Sequence, residues 1–365
     1  MMNGIKKLNL KGHLLTAISY LIPVVCGAGF LIAIGMAFGG TSQDAIVQGK
    51  FSIWDALATM GGATLGLLPA VISTGISASI AGKPGIAPGF IIGLTAHAIG
   101  AGFIGGILGG YIAGYLAVAI LKHLKVPKWA KGLMPTLIIP FLTSIIGGLI
   151  MVYIIGIPIA AFTSLLTHAL NTLGSSSKLL FGGIIGVLSI VDFGGPINKT
   201  VFAFVLTLQA EKINGPITAL QLVNTATPIG FGLAYFIAKV FRKNIYTTVE
   251  IEALKSAVPM GFINIVEGVI PIVMNDIVRC ITAAAIGGAA GAATTMMLGA
   301  DAKVPFGGIL MLPTMTHPWT GAVAILVNVL VTAFAVTLLK KNVSQEDVQV
   351  EVEEDDIDLD NIEII

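Results

Sequence analysis

The stretch GFINIVEGVIPIVMNDIVR, residues 261–279, sets one carboxylate, Glu267, in the middle of an apolar run and ends it with Asp276 and Arg279. A second stretch, IVDFGGPINKTVFAF, residues 190–204, sets Asp192, Asn198 and Lys199 among Gly, Pro and apolar residues. An amide supplies donors and an acceptor, an ammonium three donors, and an ionised carboxylate only acceptors. Together they suit a polyhydroxylated ligand, and a carboxylate within reach of a hydroxyl can orient it and take its proton. Glu267 is the candidate catalytic group: it has no Lys or Arg within a helical turn in sequence, and the GVIP that follows opens backbone amides toward a ligand. The candidate substrate-binding set is Asn198, Lys199, Asp192, Gly195, Gly268, Asn264, Asp276 and His317. Some of these have a second reading. Asp276 and Arg279, three apart, can satisfy each other on one helix face. Asn198 can cap a helix, and His317, in THPW, can be a satisfied interior histidine.

Neither a metal site nor a cofactor is expected. Cys26 and Cys280 lie singly in apolar segments with no CxxC pair, the pattern of buried inert thiols. No GxxxxGK[ST] loop is present to hold a nucleotide.

These groups must be positioned by an unusually greasy chain. Of 365 residues 55% are hydrophobic and 11% charged, with mean hydropathy +0.94, whereas soluble domains carry roughly a quarter charged residues. Apolar runs of about 20 residues, long enough to cross the hydrocarbon core, recur throughout. The fold class is an all-α polytopic membrane protein. Clear spans lie near 13–38, 53–80, 103–121, 133–156, 216–241 and 319–339. The run FIIGLTAHAIGAG, residues 90–102, is either a short crossing or a re-entrant segment, and 157–175 and 179–195 add one or two more. About ten membrane segments result, some not full crossings. MMNGIKKLNLKGH precedes an apolar run too long for a cleavable signal, so that run reads as a first span.

Three stretches, IVDFGGPINKTVFAF, VPMGFINIVEGVIPIVMND and KVPFGGILMLPTMTHP, mix apolar residues with Gly and Pro, which interrupt helices. Irregular backbone at membrane depth survives only inside protein or beside a watery cavity, which points to re-entrant hairpins. NIYTTVEIEALKSA reads as an interfacial helix or cytoplasmic loop. Basic clusters at Lys6/Lys7/Lys11, Lys122/Lys125/Lys128/Lys131, Arg242/Lys243 and Lys340/Lys341 place those ends, and both termini, in the cytoplasm. The segment from Asn342 to Ile365 has ten acids and no Lys or Arg, which reads as a disordered acidic tail. Without it the chain has twenty basic and nine acidic residues, a net +11.

The motifs PVVCGAGFLIAIG, SIAGKPGIAPGFIIG, GAGFIGGILGGYIAGY, DFGGPINKTVFAF, MGFINIVEGVIPIVMNDIVR and PFGGI, in this order, resemble the fructose-type enzyme IIC. That is the membrane component of the bacterial phosphoenolpyruvate-dependent sugar phosphotransferase system, and the likeness runs from about residue 13 to 340. The resemblance implies an N-terminal dimerisation region (1–175), a C-terminal transport region with re-entrant hairpins (176–341) and the acidic tail (342–365). It implies that Glu267 meets a sugar hydroxyl and that Asn198 and Lys199 belong to the same site. The function implied is binding and translocation of fructose or a related hexose or hexoside, phosphorylated by a separate phosphorylated enzyme IIB chain. The expected partners are sugar, enzyme IIB, membrane lipid and a second copy of the chain, with no nucleic acid, and the expected location is the bacterial cytoplasmic membrane. The family often has Ile-Thr-Glu-Gly where Ile265-Val266-Glu267-Gly268 stand and Pro-His-Gly-Gly where Pro305-Phe306-Gly307-Gly308 stand. It also often has an acidic residue and Arg in place of Gly82 and Lys83. These departures bear on which sugar is taken. The rival expectation is an ion-coupled secondary transporter in which Glu267 or Asp276 carries a proton or sodium ion.

Overall fold

The computed structural model describes residues 9–40, 52–172 and 174–343, so the acidic tail and the Lys6/Lys7 cluster lie outside the described residues. Among the described residues all regular structure is helical. Six helices are long and apolar enough to cross a membrane: Leu10–Ala37 (α1), Gly102–His123 (α5), the run Lys128–Phe162, Gly215–Val240 (α10), Ile277–Leu298 (α13) and Pro318–Leu339 (α14). Ile53–Gly66 (α2) and Leu68–Ala81 (α3) are long and apolar enough only as a pair, bent by 50° where Pro69 withholds a backbone donor, which makes them a broken span or a re-entrant loop.

The ten expected segments include shorter ones. The run after KPGIAPG belongs to one helix, Lys83–Ala98 (α4), whose 16 residues span about 24 Å, less than the hydrocarbon core. It lies against α3, with the Ser73 hydroxyl donating to the Gly89 carbonyl at 2.6 Å. Residues 133–156 and 157–175 are not separated by a loop. Helical backbone runs from Lys128 through π-type turns at Met134–Ile138 and Met151–Ile155, into Ile139–Ile150 (α6) and Gly156–Asn171 (α7). Pro135 and Pro140 lack the donors of regular turns, and the wider turns let the helix continue past them.

The second half packs around α10, which is buried on nearly all sides. Ser175–Ile190 (α8), α13 and α14 approach closely because small residues meet. A Cβ at Gly186 would strike the Gly288 carbonyl, so this contact requires glycine.

Each of the three Gly/Pro stretches is broken. Residues 191–195 separate α8 from Pro196–Ala210 (α9), and residues 263–266 follow Thr248–Phe262 (α11). A short turn, Glu267–Val269, then leads into Ile270–Asn275 (α12), while residues 299–317 hold only the 3-10 turn Gly308–Thr314.

NIYTTVEIEALKSA is not a superficial segment. Thr247 and Glu250 form a capping box that starts α11, and Glu250 is 1% exposed. Its carboxylate receives Lys340 Nζ from the end of α14 at 2.8 and 2.9 Å, and the same ammonium donates to the Ile245 carbonyl at 2.6 Å. Val343 N–H donates to the Asn244 carbonyl at 2.7 Å, closing the end of α14 onto the start of the hairpin.

Candidate functional site

The breaks at 191–195, 263–269 and 305–308 converge on a 380 Å³ cavity, the small end of the range for ligand sites. α9 brings Asn198 and Lys199, the α11 break brings Asn264 and Glu267, and α10 brings Gln221 and Asn224. The opposing wall is apolar, with Ile22, Cys26 and Phe30 from α1 joined by Phe202 and Phe306. Phe30 meets Phe306 edge to face, ring centroids 5.6 Å apart.

The geometry follows from local backbone rules. Asp192 accepts from the Ile197 and Asn198 N–H groups at 2.5 and 3.0 Å, so it caps α9 and fixes the first turn. This leaves the Asn198 side chain free of capping: its amide donates to the Ser189 carbonyl and, at 3.2 Å, to Asn224 Oδ1. Gly194 has φ +87°, and any Cβ there would collide with the Glu267 carboxylate. Asn264 sits in the left-handed region at φ +69°, where Asn is tolerated best after glycine. Its amide donates to Gln221 Oε1 at 2.5 Å and its oxygen accepts from Thr225 Oγ1 at 3.1 Å, while Gln221 donates to the Pro305 carbonyl. Two amide clusters, both anchored on α10, therefore hold the three breaks: Asn224 with Asn198, and Gln221 with Asn264 and the Pro305 carbonyl.

In the same cavity, two charged groups remain uncommitted. Among the described residues neither the Glu267 carboxylate nor the Lys199 ammonium has an ion-pair partner, and they do not pair with each other. Opposite charges in one cavity, each kept from the other, are positioned for a third body.

The structure brings Asn198, Lys199, Asn264 and Glu267 together. Gly195 and Gly268 frame the cavity without lining it, Gly195 at the start of α9 and Gly268 packed on Ala257. Two expected binding residues lie elsewhere. Asp276 takes Arg279 Nη1 at 3.4 Å and the Lys341 N–H at 3.2 Å, the mutual pairing that its spacing allowed. His317 is exposed at the start of α14 and absent from the cavity wall. Asp192 acts one step back, through the helix it caps. The sequence reading passed over Gln221, Asn224 and the whole α1 wall. Buried amides on an otherwise apolar helix are the signal that could have found the first two.

Fold and cavity together define a polytopic helical membrane protein with a small-molecule-sized site, apolar over most of its wall and carrying a few amides and charges, where its helices break. No protein-family model matches the chain. It is 34% identical to the PTS system fructose-specific EIIC component of Haloferax volcanii, over 92% of this chain and 93% of that protein. It is 32% identical to the fructose-like permease IIC component 2 of Escherichia coli, over 96% of both chains. With the PTS system fructose-specific EIIB'BC component of Xanthomonas campestris it shares 39% identity over 91% of its own length, spanning 57% of that longer protein. The chain belongs to the fructose-type enzyme IIC family of phosphotransferase-system permeases.

Proposed function

We propose that this chain is the sugar permease subunit of a phosphotransferase system, taking fructose or a closely related hexose and presenting it for phosphorylation. The observation that carries this reading is the unpaired Glu267 and Lys199 in a cavity walled by fixed amides on one side and apolar side chains on the other. A sugar ring has both faces: hydroxyls for Asn198, Lys199 and Glu267, and C–H edges for Phe30 and Phe306. A hydroxyl oriented by Glu267 forms its bond to phosphorus as the bond to the phosphate carrier breaks. The carboxylate accepts the hydroxyl proton in that step.

The phosphoryl donor is a phosphorylated B component on the cytoplasmic side. The names EIIB'BC and EIIABC join B and C components in single chains among the relatives, which supports this partner. The net +11 outside the tail favours an anionic phosphorylated partner by electrostatic steering. In the same reading residues 1–175 are a dimerising scaffold, residues 176–341 carry the sugar, and both termini are cytoplasmic in a bacterial cytoplasmic membrane.

Purified protein in lipid should bind radiolabelled fructose without converting it. Phosphoenolpyruvate or ATP alone should yield nothing, and adding the phosphorylated B component should yield sugar phosphate. Release of unmodified fructose driven by a proton or sodium gradient would instead make the chain a secondary transporter.

A further inference from the structure

Two separate cavities lie along the α1 and α9 helices. α1 lines that cavity with Cys26 and Phe30, and a second cavity of 570 Å³ with Ile32 and Met36. α9 likewise contributes Phe202 to the first and Gln209 to the second. From Cys26 to Met36 is ten residues of helix, about 15 Å. The two spaces are therefore successive compartments along one pair of helices, with the Phe30–Phe306 pair on the inner side of the boundary.

The second compartment has its own polar chemistry. Lys212, Asn214 and Lys303 line it together with Gln209, whose amide donates to the Ala302 carbonyl at 3.5 Å and ties the two walls. Among the described residues neither lysine has an ion-pair partner. Lys212 occupies the left-handed position just past α9, φ +63°, which glycine fills with less strain. A lysine is held there, beside a cavity, at a conformational cost. This compartment lies at the C-terminal end of α1, away from the Lys340 end of α14, on the face that the positive-inside rule makes non-cytoplasmic.

We propose that the second cavity is a loading vestibule that holds the uncharged sugar before it passes between α1 and α9 to Glu267. This inference rests on the sugar-permease reading above. Ammonium and amide donors on Lys212, Lys303 and Asn214 suit hydroxyl and ring oxygens.

Gly66 lines the vestibule with open space around a would-be Cβ, so Gly66→Cys places a thiol reporter there without a clash. Intact cells carrying the full chain with Gly66→Cys are treated with a membrane-impermeant maleimide, and labelling is read above that of the parent chain. The reporter should label from outside, and fructose should slow the labelling. Adding Lys212→Met and Lys303→Met should abolish the protection and raise the KM for uptake roughly tenfold. Lys212→Arg with Lys303→Arg should restore both, which separates lost chemistry from lost folding. Adding Glu267→Gln to the reporter should stop sugar phosphorylation yet leave the protection in place; unaltered phosphorylation there would count against the central site alone. The vestibule is refuted if fructose gives no protection while uptake is normal, if the reporter labels only in inverted vesicles, or if fructose 1-phosphate protects better than fructose.

Discussion

Glu267 faces the cavity with no described partner, while Glu250, in the same hairpin, is enclosed with Lys340. The two carboxylates predict opposite mutational behaviour. Glu267→Gln keeps size and most hydrogen-bonding capacity but cannot accept the proton. Sugar phosphorylation with the B component should fall about 10²–10⁴-fold, with membrane levels of protein unchanged. Phosphorylation near the parental rate would remove Glu267 from its role. Lys340→Met leaves a buried carboxylate unneutralised, a loss of about 3–5 kcal/mol. Thermal unfolding in detergent should show that loss, and Glu250→Gln in the same chain should recover most of it. If the double variant melts no higher than the single one, the charge pair is not what stabilises this end. Glu267 was readable in the sequence because an isolated charge in a greasy run has no cheap explanation. Gln221 and Asn224 were not, because amides are tolerated on an apolar helix and their partners lie 43 and 26 residues away. Cys26 and Phe30 stood in the family-like motif PVVCGAGFLIAIG but gave no sign of lining a cavity, since an apolar cavity wall and a lipid-facing surface use the same residues.

At the scale of elements, the breaks were the readable part. Gly and Pro remove donors and side chains where the chain must turn, so all three interrupted stretches stood out before any packing was known. What they deliver is contact: the 191–195 turn lies against the 263–269 turn with no room for a methyl group. Gly194→Ala should therefore displace the Glu267 carboxylate, adding backbone strain at φ +87°. Fructose binding should be lost or weakened at least tenfold, while Gly183→Ala, whose Cβ meets open space, should bind as the parent does. Equal binding by both variants would show that the two turns need not touch. The sequence reading gave 133–156 and 157–175 separately, whereas the backbone stays helical through the π-type turn at Met151–Ile155. Whether a wider turn carries the helix onward depends on the neighbouring backbone, which sequence periodicity does not report.

For the whole molecule, charge distribution gives the most direct prediction. The proposed topology, with basic residues next to the first and last long helices, puts both ends on the cytoplasmic side by the positive-inside rule. Reporter fusions at the two ends should give the same cytoplasmic signal, and opposite signals would overturn the topology. The membrane class follows from composition alone, whereas the joining of α1 to the cavity that holds Glu267 depends on contacts between distant parts of the chain. The lock between Glu250 and Lys340 also imposes an order in time. The acid is made 90 residues before its counter-ion, and the intervening chain must be synthesised and inserted first. Until Lys340 has been added, the hairpin bearing Glu267 lacks the counter-ion for the carboxylate at its root. The root of that hairpin is thus closed by the residue just past the last described helix, so a chain interrupted before Lys340 would keep a carboxylate that is 1% exposed in the full chain without its partner.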